Sequence, residues 1–328
     1  MHIISILMKI LITGITGQDG IFISKTLNET YKNSKIIGTS RNLKKLQFEK
    51  KARHNFQNLN IVNIDLLNFN EVKSLLTDFN PDVLFNLSGP SSVYESINNP
   101  SQKEAITQIF DNLTNGLIEN KNYCNFFQAS TSEMFGLNNK ESVYSETSRF
   151  SPNSPYAAGK LENHKKVLVL REKYDWNIFS GIMFNHESEF RSPNYLFMKI
   201  INSALQIKNG KLSSFTIGSL NICRDWSYAD EIAQGIIDIT LNGASYDYVL
   251  GSGVGSTIEQ LVSNVFTFFD LDYKEYINID KSILRKNDPK TIISNPLKIQ
   301  KELGWSTTLN FDELTNKIIK NYISLNYN

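Results

Sequence analysis

Residues 9–20, KILITGITGQDG, decide the fold of this chain. The first five are apolar enough to predict a buried strand, and a helix is predicted over residues 20–31. Between them, Gly14 permits a tight turn, Gly17 lets a backbone approach a phosphate, and Gly20 lets the helix pack closely on the strand. The free amides at the start of the helix favour an anion. A strand, a glycine turn and a helix in this order predict a dinucleotide-binding fold.

Apolar and amphipathic segments alternate through the first half of the chain. Beyond the first unit, strands are predicted at 35–39, 61–64, 82–87, 125–129 and 178–184, and helices at about 70–79, 103–120 and 156–174. Such alternation indicates parallel strands joined by right-handed crossovers, with helices on both faces of the sheet. The predicted fold class is α/β, a doubly wound parallel sheet of the Rossmann type with a smaller C-terminal α/β substrate domain.

The second half of the chain alternates less regularly. Helices are predicted at 194–207, 230–241, 257–269, 296–303 and 311–323, with short strands at 214–217 and 247–250. We therefore predict a dinucleotide-binding domain over residues 1–186, with returns to it from about 213–252. Residues 187–212 and 253–328 form the predicted substrate domain.

Composition argues against several classes of function. Of 328 residues, 41% are hydrophobic, and a net charge of +1 indicates no basic face for nucleic acid or a membrane surface. Two cysteines are too few for a disulfide framework, and four histidines show no metal-ligand spacing. Residues 1–8 lack a basic leader and a cleavage site, and no segment is long and apolar enough to cross a bilayer. We expect a cytoplasmic protein without a metal.

The end of the second predicted strand, Gly38-Thr39-Ser40-Arg41-Asn42, bears on the type of cofactor. An acidic residue there would bond the 2′-hydroxyl of NAD, whereas Arg41 suits the 2′-phosphate of NADP. The sequence therefore favours NADP, although Arg41 also fits an ordinary solvated charge. After the third strand, Asp65 is placed either to meet an adenine amino group or to cap a helix.

Tyr156 and Lys160 lie four residues apart in a predicted helix and so share one of its faces. A free tyrosine, with a pKa of about 10, is a poor base near neutral pH. We expect the charge of Lys160, together with a positive nicotinamide ring, to lower the pKa of Tyr156. The pair can then take a proton from a sugar or alcohol hydroxyl while hydride leaves the same carbon.

Several motifs resemble the extended short-chain dehydrogenases/reductases: the glycine turn, the loop NLSGPSSV at 86–93, the string STSE at 130–133 and the Tyr156–Lys160 pair. Five strings resemble, more narrowly, the GDP-mannose 4,6-dehydratase family. They are TGQDG at 16–20, QASTSEMFG at 128–136, FNHES at 184–188, RDW at 224–226 and ELGW at 302–305. The resemblance covers residue 9 to the end. It implies an NADP-dependent hydro-lyase that converts GDP-mannose, or a close GDP-sugar, to a 4-keto-6-deoxy product.

The resemblance also implies a role for each matching residue. Tyr156 takes the C4 hydroxyl proton while hydride passes to NADP⁺, and Thr131 hydrogen-bonds the C4 oxygen. Glu133 removes the C5 proton and water leaves from C6. The hydride then returns to C6, and a proton is delivered to C5. The implied cofactor residues are Gly14, Thr16, Gly17, Gln18, Asp19, Gly20, Arg41, Asp65, Leu66, Leu87, Ser88, Tyr156 and Lys160. The implied nucleotide-sugar residues are Ser91, Ser132, Asn185, Lys199, Arg224 and Arg285.

The chain departs from the family around the sugar and the base. Phe190 and Met198 replace two family arginines, and the 89–95 loop has its own sequence, GPSSVYE. The sequence therefore leaves open which nucleotide and which hexose are bound. It also leaves open a 4-epimerase or 4-keto reductase, a non-catalytic NADP-sensing protein, and a Glu133 that is only a solvated loop carboxylate.

Helices 103–120 and 156–174 carry apolar residues on more than one side. The additional apolar residues indicate that these helices are buried against a partner. In the resembling family these two helices form a four-helix dimer interface. We therefore expect a homodimer or a homotetramer that binds a small-molecule nucleotide sugar.

Overall fold

A computed structural model describes residues 7–136, 141–244, 246–284 and 288–327. The helices are α1 Gln18–Thr30, α2 Lys45–Ala52, α3 Phe69–Phe79, α4 Val93–Asn98, α5 Gln102–Glu119, α6 Pro155–Tyr174, α7 Leu196–Lys208, α8 Ala229–Asn242, α9 Ile258–Phe268, α10 Leu297–Leu303 and α11 Phe311–Tyr327. The strands are β1 Lys9–Thr13, β2 Lys35–Ser40, β3 Leu59–Asn63, β4 Val83–Asn86, β5 Asn125–Thr131, β6 Val143–Tyr144, β7 Ile178–Met183, β8 Asn185–Glu187, β9 Phe215–Ile217, β10 Cys223–Tyr228, β11 Asp247–Leu250, β12 Gly255–Thr257, β13 Ile277–Ile279 and β14 Thr291–Ser294.

The main sheet has seven strands in the order β11-β7-β5-β4-β1-β2-β3. Every neighbouring pair in it is parallel. The order reverses between β1 and β4, and open sheets of this kind bind ligands at the carboxyl ends of the strands beside such a reversal. The predicted doubly wound α/β fold is confirmed.

Helices cover both faces of this sheet, because its strands are apolar on both sides. In β1, Ile10 and Ile12 belong to one buried cluster, whereas Leu11 between them belongs to another. Successive side chains of a strand point to opposite faces of the sheet. The division of the β1 side chains between two clusters therefore shows that β1 is buried on both faces. α1 packs against α8 on one face, and α5 packs against α3 and α6 on the other.

The second half of the chain forms smaller sheets around β10. This strand pairs with β8, β12 and β14, while β9 pairs with β13 in a separate two-stranded sheet. Within the predicted return at 213–252, β11 joins the main sheet, and β9 and β10 pair in the smaller ones. The division into two domains stays a prediction.

The glycine turn follows the stereochemistry that its sequence requires. Gly14 has a φ of +70°, and a Cβ there would lie 2.9 Å from the backbone of Leu87 and Ser88. A Cβ on Gly20 would lie 2.6 Å from the Cα of Ile15. By contrast, a Cβ on Gly17 would meet only the carbonyl oxygen of Gly14, at an ordinary 3.5 Å. Gly14 and Gly20 are therefore required by the chain itself, whereas Gly17 leaves space above the turn.

Gly20→Ala should lower the free energy of unfolding by about 1–3 kcal/mol, because the added methyl group collides with the Ile15 backbone and α1 must shift. Gly17→Ala is the matched control and should cost less than about 1 kcal/mol, the effect of a poorer N-cap. Urea unfolding of both variants measures the difference. Equal losses would show that close packing of α1 on the turn does not require Gly20.

Candidate active site

A cavity of about 540 Å³ lies at the carboxyl edge of the main sheet. Its wall is made by residues that follow β4, β5 and β7, by the start of α6, and by parts of β8, α7 and β10. The cavity thus sits where a doubly wound sheet binds its ligands. Of the predicted site residues, Asp19, Leu87, Ser91, Thr131, Ser132, Glu133, Tyr156, Lys160, Asn185, Lys199 and Arg224 line it.

The start of α6 places Tyr156 and Lys160 in the cavity wall. Ser154 caps the helix by accepting a hydrogen bond from the amide of Ala157 at 3.1 Å. Both Tyr156 and Lys160 are buried, and the Lys160 Nζ donates to the carbonyl oxygen of Ala129 at 2.9 Å. The Lys160 Nζ lies 5.9 Å from the centre of the Tyr156 ring. The two groups are fixed side by side, as their spacing predicts.

Burial decides the protonation of this pair. It lowers the pKa of Lys160 to about 8, with Asp19 opposing the shift. It raises the pKa of Tyr156 above the usual value of about 10, against a hydrogen bond from Thr131, and the charge of Glu133 raises it further. In the protein alone, desolvation of the phenolate outweighs the nearby cations. The predicted lowering of the Tyr156 pKa also requires a positive nicotinamide ring, and it stays a prediction. A tyrosine in this site rests in its protonated form.

Thr131, Ser132 and Glu133 follow directly from β5. A short helical turn over Ser132–Met134 begins there, and the Thr131 hydroxyl accepts a hydrogen bond from the Glu133 amide at 3.3 Å. Thr131 and Ser132 are buried, and Glu133 is half-buried with its side chain lining the cavity. A carboxyl group, two hydroxyls and a phenol therefore share one cavity wall.

The first turn of α1 is bonded to the segment around β8. The Gln18 side-chain amide donates to the carbonyl oxygen of His186 at 2.8 Å, and the Ser188 hydroxyl donates to the Gln18 Oε1 at 2.9 Å. The His186 Nε2 lies 3.1 Å from the Asp19 Oδ1, and both side chains are largely buried. Although burial opposes both shifts, this contact lowers the pKa of Asp19 and raises that of His186. The pair is held as an ion pair.

The predicted cofactor residues lie at the carboxyl ends of four adjacent strands. Gly14 follows β1, Arg41 follows β2, Asp65 lies just beyond β3, and Leu87–Ser88 follow β4. Arg41 is exposed, Leu66 is buried in the core, and Asp65 accepts a hydrogen bond from the amide of Leu67 at 3.1 Å. The N-cap of α3 is Asn68, so Asp65 is not that cap.

The glycine turn fits a dinucleotide phosphate. Gly17 is the N-cap of α1 and offers no side chain to the first amides of the helix. Since the chain places no side-chain cap there, those amides suit a bound anion. That Thr16, Gly17 and Gly20 complete a glycine cradle for the phosphates stays a prediction. The Gln18 and Asp19 side chains are bonded to the segment around β8.

Arg224, which is predicted to bind the diphosphate of the nucleotide sugar, is bonded to other groups of the protein. Arg224 is buried, and its Nη2 lies 2.8 Å from the Asp288 Oδ1, while its Nη1 donates to the carbonyl oxygens of Cys223 at 2.8 Å and Pro289 at 2.9 Å. A substrate phosphate would therefore share Arg224 with Asp288. Arg285 lies outside the described residues. Ser91, Asn185 and Lys199 reach the cavity from three separate segments.

Arg191, Tyr195 and Asp288 line the cavity but are not among the predicted site residues. Arg191 pairs with Glu187 four residues earlier, at 3.1 Å. That spacing was a usable signal, although no helix is formed there. The positions of Tyr195 and Asp288 depend on tertiary contacts that no local pattern indicates.

Within the described ranges, no cluster of three or more His, Cys, Asp and Glu side chains is placed to hold a metal ion. The helices of the same ranges include none that is long and apolar enough to span a bilayer. Cys124 and Cys223 are free thiols.

The fold and the Tyr156–Lys160 site define an extended short-chain dehydrogenase/reductase. Solved structures that share this fold include dTDP-glucose 4,6-dehydratase from Bacillus anthracis in complex with NAD, and UDP-glucose 4-epimerase from Thermotoga maritima with UDP-glucose. The first has a TM-score of 0.83 and 19% identity, covering 97% of each chain. The second has a TM-score of 0.84 and 19% identity, covering 96% of this chain and 98% of its own.

The chain belongs to the GDP-mannose 4,6-dehydratase family, whose sequence profile matches residues 11–318. A relative from Arabidopsis thaliana, GDP-mannose 4,6 dehydratase 2, is 29% identical over 336 residues. That alignment covers 96% of this chain and 87% of the relative. The predicted membership of this family is confirmed.

Asp19→Asn should cost about 1–3 kcal/mol of unfolding free energy at pH 6, because it leaves buried His186 without its charged partner. The raised pKa of His186 contributes stability that is complete below its unfolded value of about 6.5 and is lost as pH rises through the folded pKa. The lowered pKa of Asp19 contributes stability that is lost only in acid. The cost of Asp19→Asn should therefore shrink from pH 6 to pH 9 in urea unfolding.

Glu119→Gln is the matched control. It removes one carboxylate of an exposed ion pair, in which the Lys73 Nζ lies 2.7 Å from the Glu119 Oε2. The loss of unfolding free energy in Glu119→Gln should stay below about 1 kcal/mol at both pH values. A cost of Asp19→Asn that is the same at pH 6 and pH 9 would contradict the ion pair.

Proposed function

We propose that this protein is a nucleotide-sugar 4,6-dehydratase that converts GDP-mannose, or a close GDP-sugar, to its 4-keto-6-deoxy product. One observation carries the proposal. Thr131 and Glu133 line the same cavity as Tyr156 and Lys160, so an acid–base carboxyl group and a redox tyrosine face one ligand. Membership of the GDP-mannose 4,6-dehydratase family supports the same reaction.

Tyr156 takes the proton of the C4 hydroxyl, and the Thr131 hydroxyl is hydrogen-bonded to the same oxygen. A bound nicotinamide cofactor supplies the hydride acceptor for C4 and the hydride donor for C6. Because burial raises the pKa of Tyr156, its deprotonation needs positive charge close by. Lys160, held against the carbonyl of Ala129 beneath the phenol, supplies a cation from the chain.

Glu133 carries out the elimination. Once C4 is a ketone, the C5 proton is acidic, and the Glu133 carboxylate removes it. The same group then delivers a proton to the C6 hydroxyl, which leaves as water. A positioned general acid or base of this kind contributes about 10²–10⁴-fold to a rate. Because Glu133 lines the cavity, its carboxylate is available to a sugar bound there.

NADP is the proposed cofactor. The glycine cradle, Leu87, Ser88 and Asp65 support a nicotinamide dinucleotide, and exposed Arg41 supports a 2′-phosphate. The dTDP-glucose dehydratase structure from Bacillus anthracis holds NAD, so the choice of NADP rests on Arg41.

A homodimer or homotetramer is proposed for the assembly. Leu168 and Val169 of α6 are exposed, at 46% and 61%, beside the α5–α6 packing. Burial of such side chains against a second copy would remove apolar area from water. Two free cysteines agree with a reducing compartment, and a cytoplasmic location remains a proposal on that ground.

A 4-epimerase or 4-keto reductase is the second candidate, favoured by the shared fold of UDP-glucose 4-epimerase from Thermotoga maritima. Neither reaction needs the carboxyl group of Glu133. Incubation with GDP-mannose and a trace of NADP⁺ separates the candidates, because dehydration loses water without net cofactor reduction. A 4-keto reductase, by contrast, consumes one NADPH for each keto sugar. Binding of NADP without any turnover would identify a sensing protein.

Glu133→Gln should bind GDP-mannose and oxidise it at C4, yet release no water. The amide cannot take the C5 proton, so the product should fall by at least about 100-fold while reduced cofactor accumulates on the enzyme. Mass spectrometry of the sugar and absorbance at 340 nm measure the two outcomes.

Glu275→Gln is the control for Glu133→Gln, because Glu275 is exposed in a short helical turn away from the cavity. It should dehydrate GDP-mannose at the wild-type rate. Undiminished release of water by Glu133→Gln would remove Glu133 from the role of base.

Arg41→Ala should weaken NADP⁺ binding by about 10- to 100-fold, the effect of losing a charge-assisted hydrogen bond of about 1.5–3 kcal/mol. NAD⁺ lacks the 2′-phosphate, so its affinity should not change. Calorimetric titration of the protein with each nucleotide measures both affinities.

The control for Arg41→Ala is Arg53→Ala, which lies beyond the far end of α2 and bonds the Ser324 hydroxyl at 3.0 Å. It should leave both affinities unchanged. Equal weakening of NADP⁺ and NAD⁺ by Arg41→Ala would contradict the 2′-phosphate contact.

A further inference from the structure

Tyr195 joins two segments of the cavity wall that are far apart in sequence. Its hydroxyl lies 2.7 Å from the Ser91 Oγ, and either oxygen can be the donor. Ser91 belongs to the loop between β4 and α4, whereas Tyr195 is the N-cap residue of α7. Both line the cavity; Ser91 is exposed and Tyr195 is half-buried, so the two hydroxyls meet at its mouth.

The ring of Tyr195 is held by a chain of contacts behind it. The guanidinium carbon of Arg191 lies 4.0 Å from the ring centre. The Arg191 Nε lies 3.1 Å from the Glu187 Oε2, and Glu187 is 4% exposed. Stacking on a guanidinium that is itself ion-paired fixes the plane of the ring. The phenol hydroxyl is thereby kept pointing at Ser91.

Tyr195 also shares the cavity with Tyr156 and Thr131. Arg191, on which its ring is stacked, lies close enough to Tyr156 to lower the pKa of that phenol. Tyr156 and Thr131 are assigned to the C4 hydroxyl. The Ser91–Tyr195 pair is therefore available for a different hydroxyl of the same sugar.

The pair has the chemistry to bind such a hydroxyl. Serine and tyrosine hydroxyls each donate one hydrogen bond and accept others, and the single bond between them uses only one of the two donors. A sugar hydroxyl both donates and accepts, so it can bridge the two oxygens. A site of this kind loses affinity for a sugar that lacks the matching hydroxyl, because its own polar groups are then left unpaired.

We propose that Tyr195 is a sugar-binding residue, and that its hydroxyl and Ser91 together bind the C2 or C3 hydroxyl of the hexose. The inference rests on the proposed function, since it takes a GDP-hexose as the ligand. It makes Tyr195 a determinant of which hexose is accepted, in the part of the site where the family motifs are least preserved.

Tyr195→Phe tests the proposal, because it keeps the ring and its stacking on Arg191 and removes only the hydroxyl. The Kd for GDP-mannose, measured by calorimetry, should rise about five- to tenfold, the loss expected for one neutral hydrogen bond. The KM should rise by a similar factor while kcat stays within about twofold. Tyr123→Phe is the matched control, since Tyr123 stacks on Tyr174 away from the cavity, and it should change neither constant.

Deoxy analogues separate sugar binding from a structural role. GDP-2-deoxymannose and GDP-3-deoxymannose each lack one candidate hydroxyl. For the analogue that lacks the bound hydroxyl, wild type and Tyr195→Phe should have the same Kd. For the other analogue, the five- to tenfold difference should remain. A loss that is equal for GDP-mannose and both analogues would show that Tyr195 only holds the Ser91 loop, and would overturn the proposal.

An unchanged Kd for GDP-mannose in Tyr195→Phe would also overturn it. Failure of the proposed function has a different signature, because wild type itself would then form no 4-keto-6-deoxy product from GDP-mannose. The binding measurements do not depend on turnover, so the two outcomes are distinguishable.

Discussion

The bonds between the first turn of α1 and residues 186–188 hold the two halves of the site together. Gln18 bonds the backbone of His186 and the hydroxyl of Ser188, and Asp19 pairs with the His186 ring. The helix that would hold the cofactor phosphates is thereby fixed to the segment that carries Asn185 into the cavity. Because hydride transfer requires donor and acceptor atoms at contact distance, the relative position of these two parts limits the chemistry. Residues of the strings TGQDG and FNHES meet in this contact.

Burial sets the protonation of the residues that are proposed to react. The phenol of Tyr156 has a raised pKa and rests protonated, and the ammonium of Lys160 has a pKa of about 8. The phenolate is therefore costly to form until positive charge gathers beside it. Charges that are buried beside the cavity interact more strongly than they would in water. The strength of Tyr156 as a base therefore depends on bound ligands that bring positive charge. Without such a ligand, the phenol stays protonated.

The sequence predicts the main sheet well because its strands are apolar on both faces, so β1, β2, β4, β5 and β7 stand out as continuous apolar segments. The sequence does not predict β10, because Arg224, Asp225 and Ser227 in this strand are polar although they are buried. A search for apolar segments therefore does not detect the strand. Asp225, for example, accepts from the Ser252 hydroxyl at 2.6 Å and from that of Ser294. Thr131, Glu133 and Tyr156 are predictable because they follow a strand end or a motif, and their roles remain predictions. The Ser91–Tyr195 contact spans 104 residues, beyond the reach of any local pattern.

The proposed reaction combines elimination of water with internal return of hydride to the same sugar within one cavity. Incubation of the wild-type protein with GDP-mannose carrying deuterium at C4, with a catalytic amount of unlabelled NADP⁺, tests it most directly. The product should be lighter by one water and carry the deuterium at C6, as measured by mass spectrometry and NMR. Deuterium that remains at C4, or that collects in free cofactor with no loss of water, would contradict it.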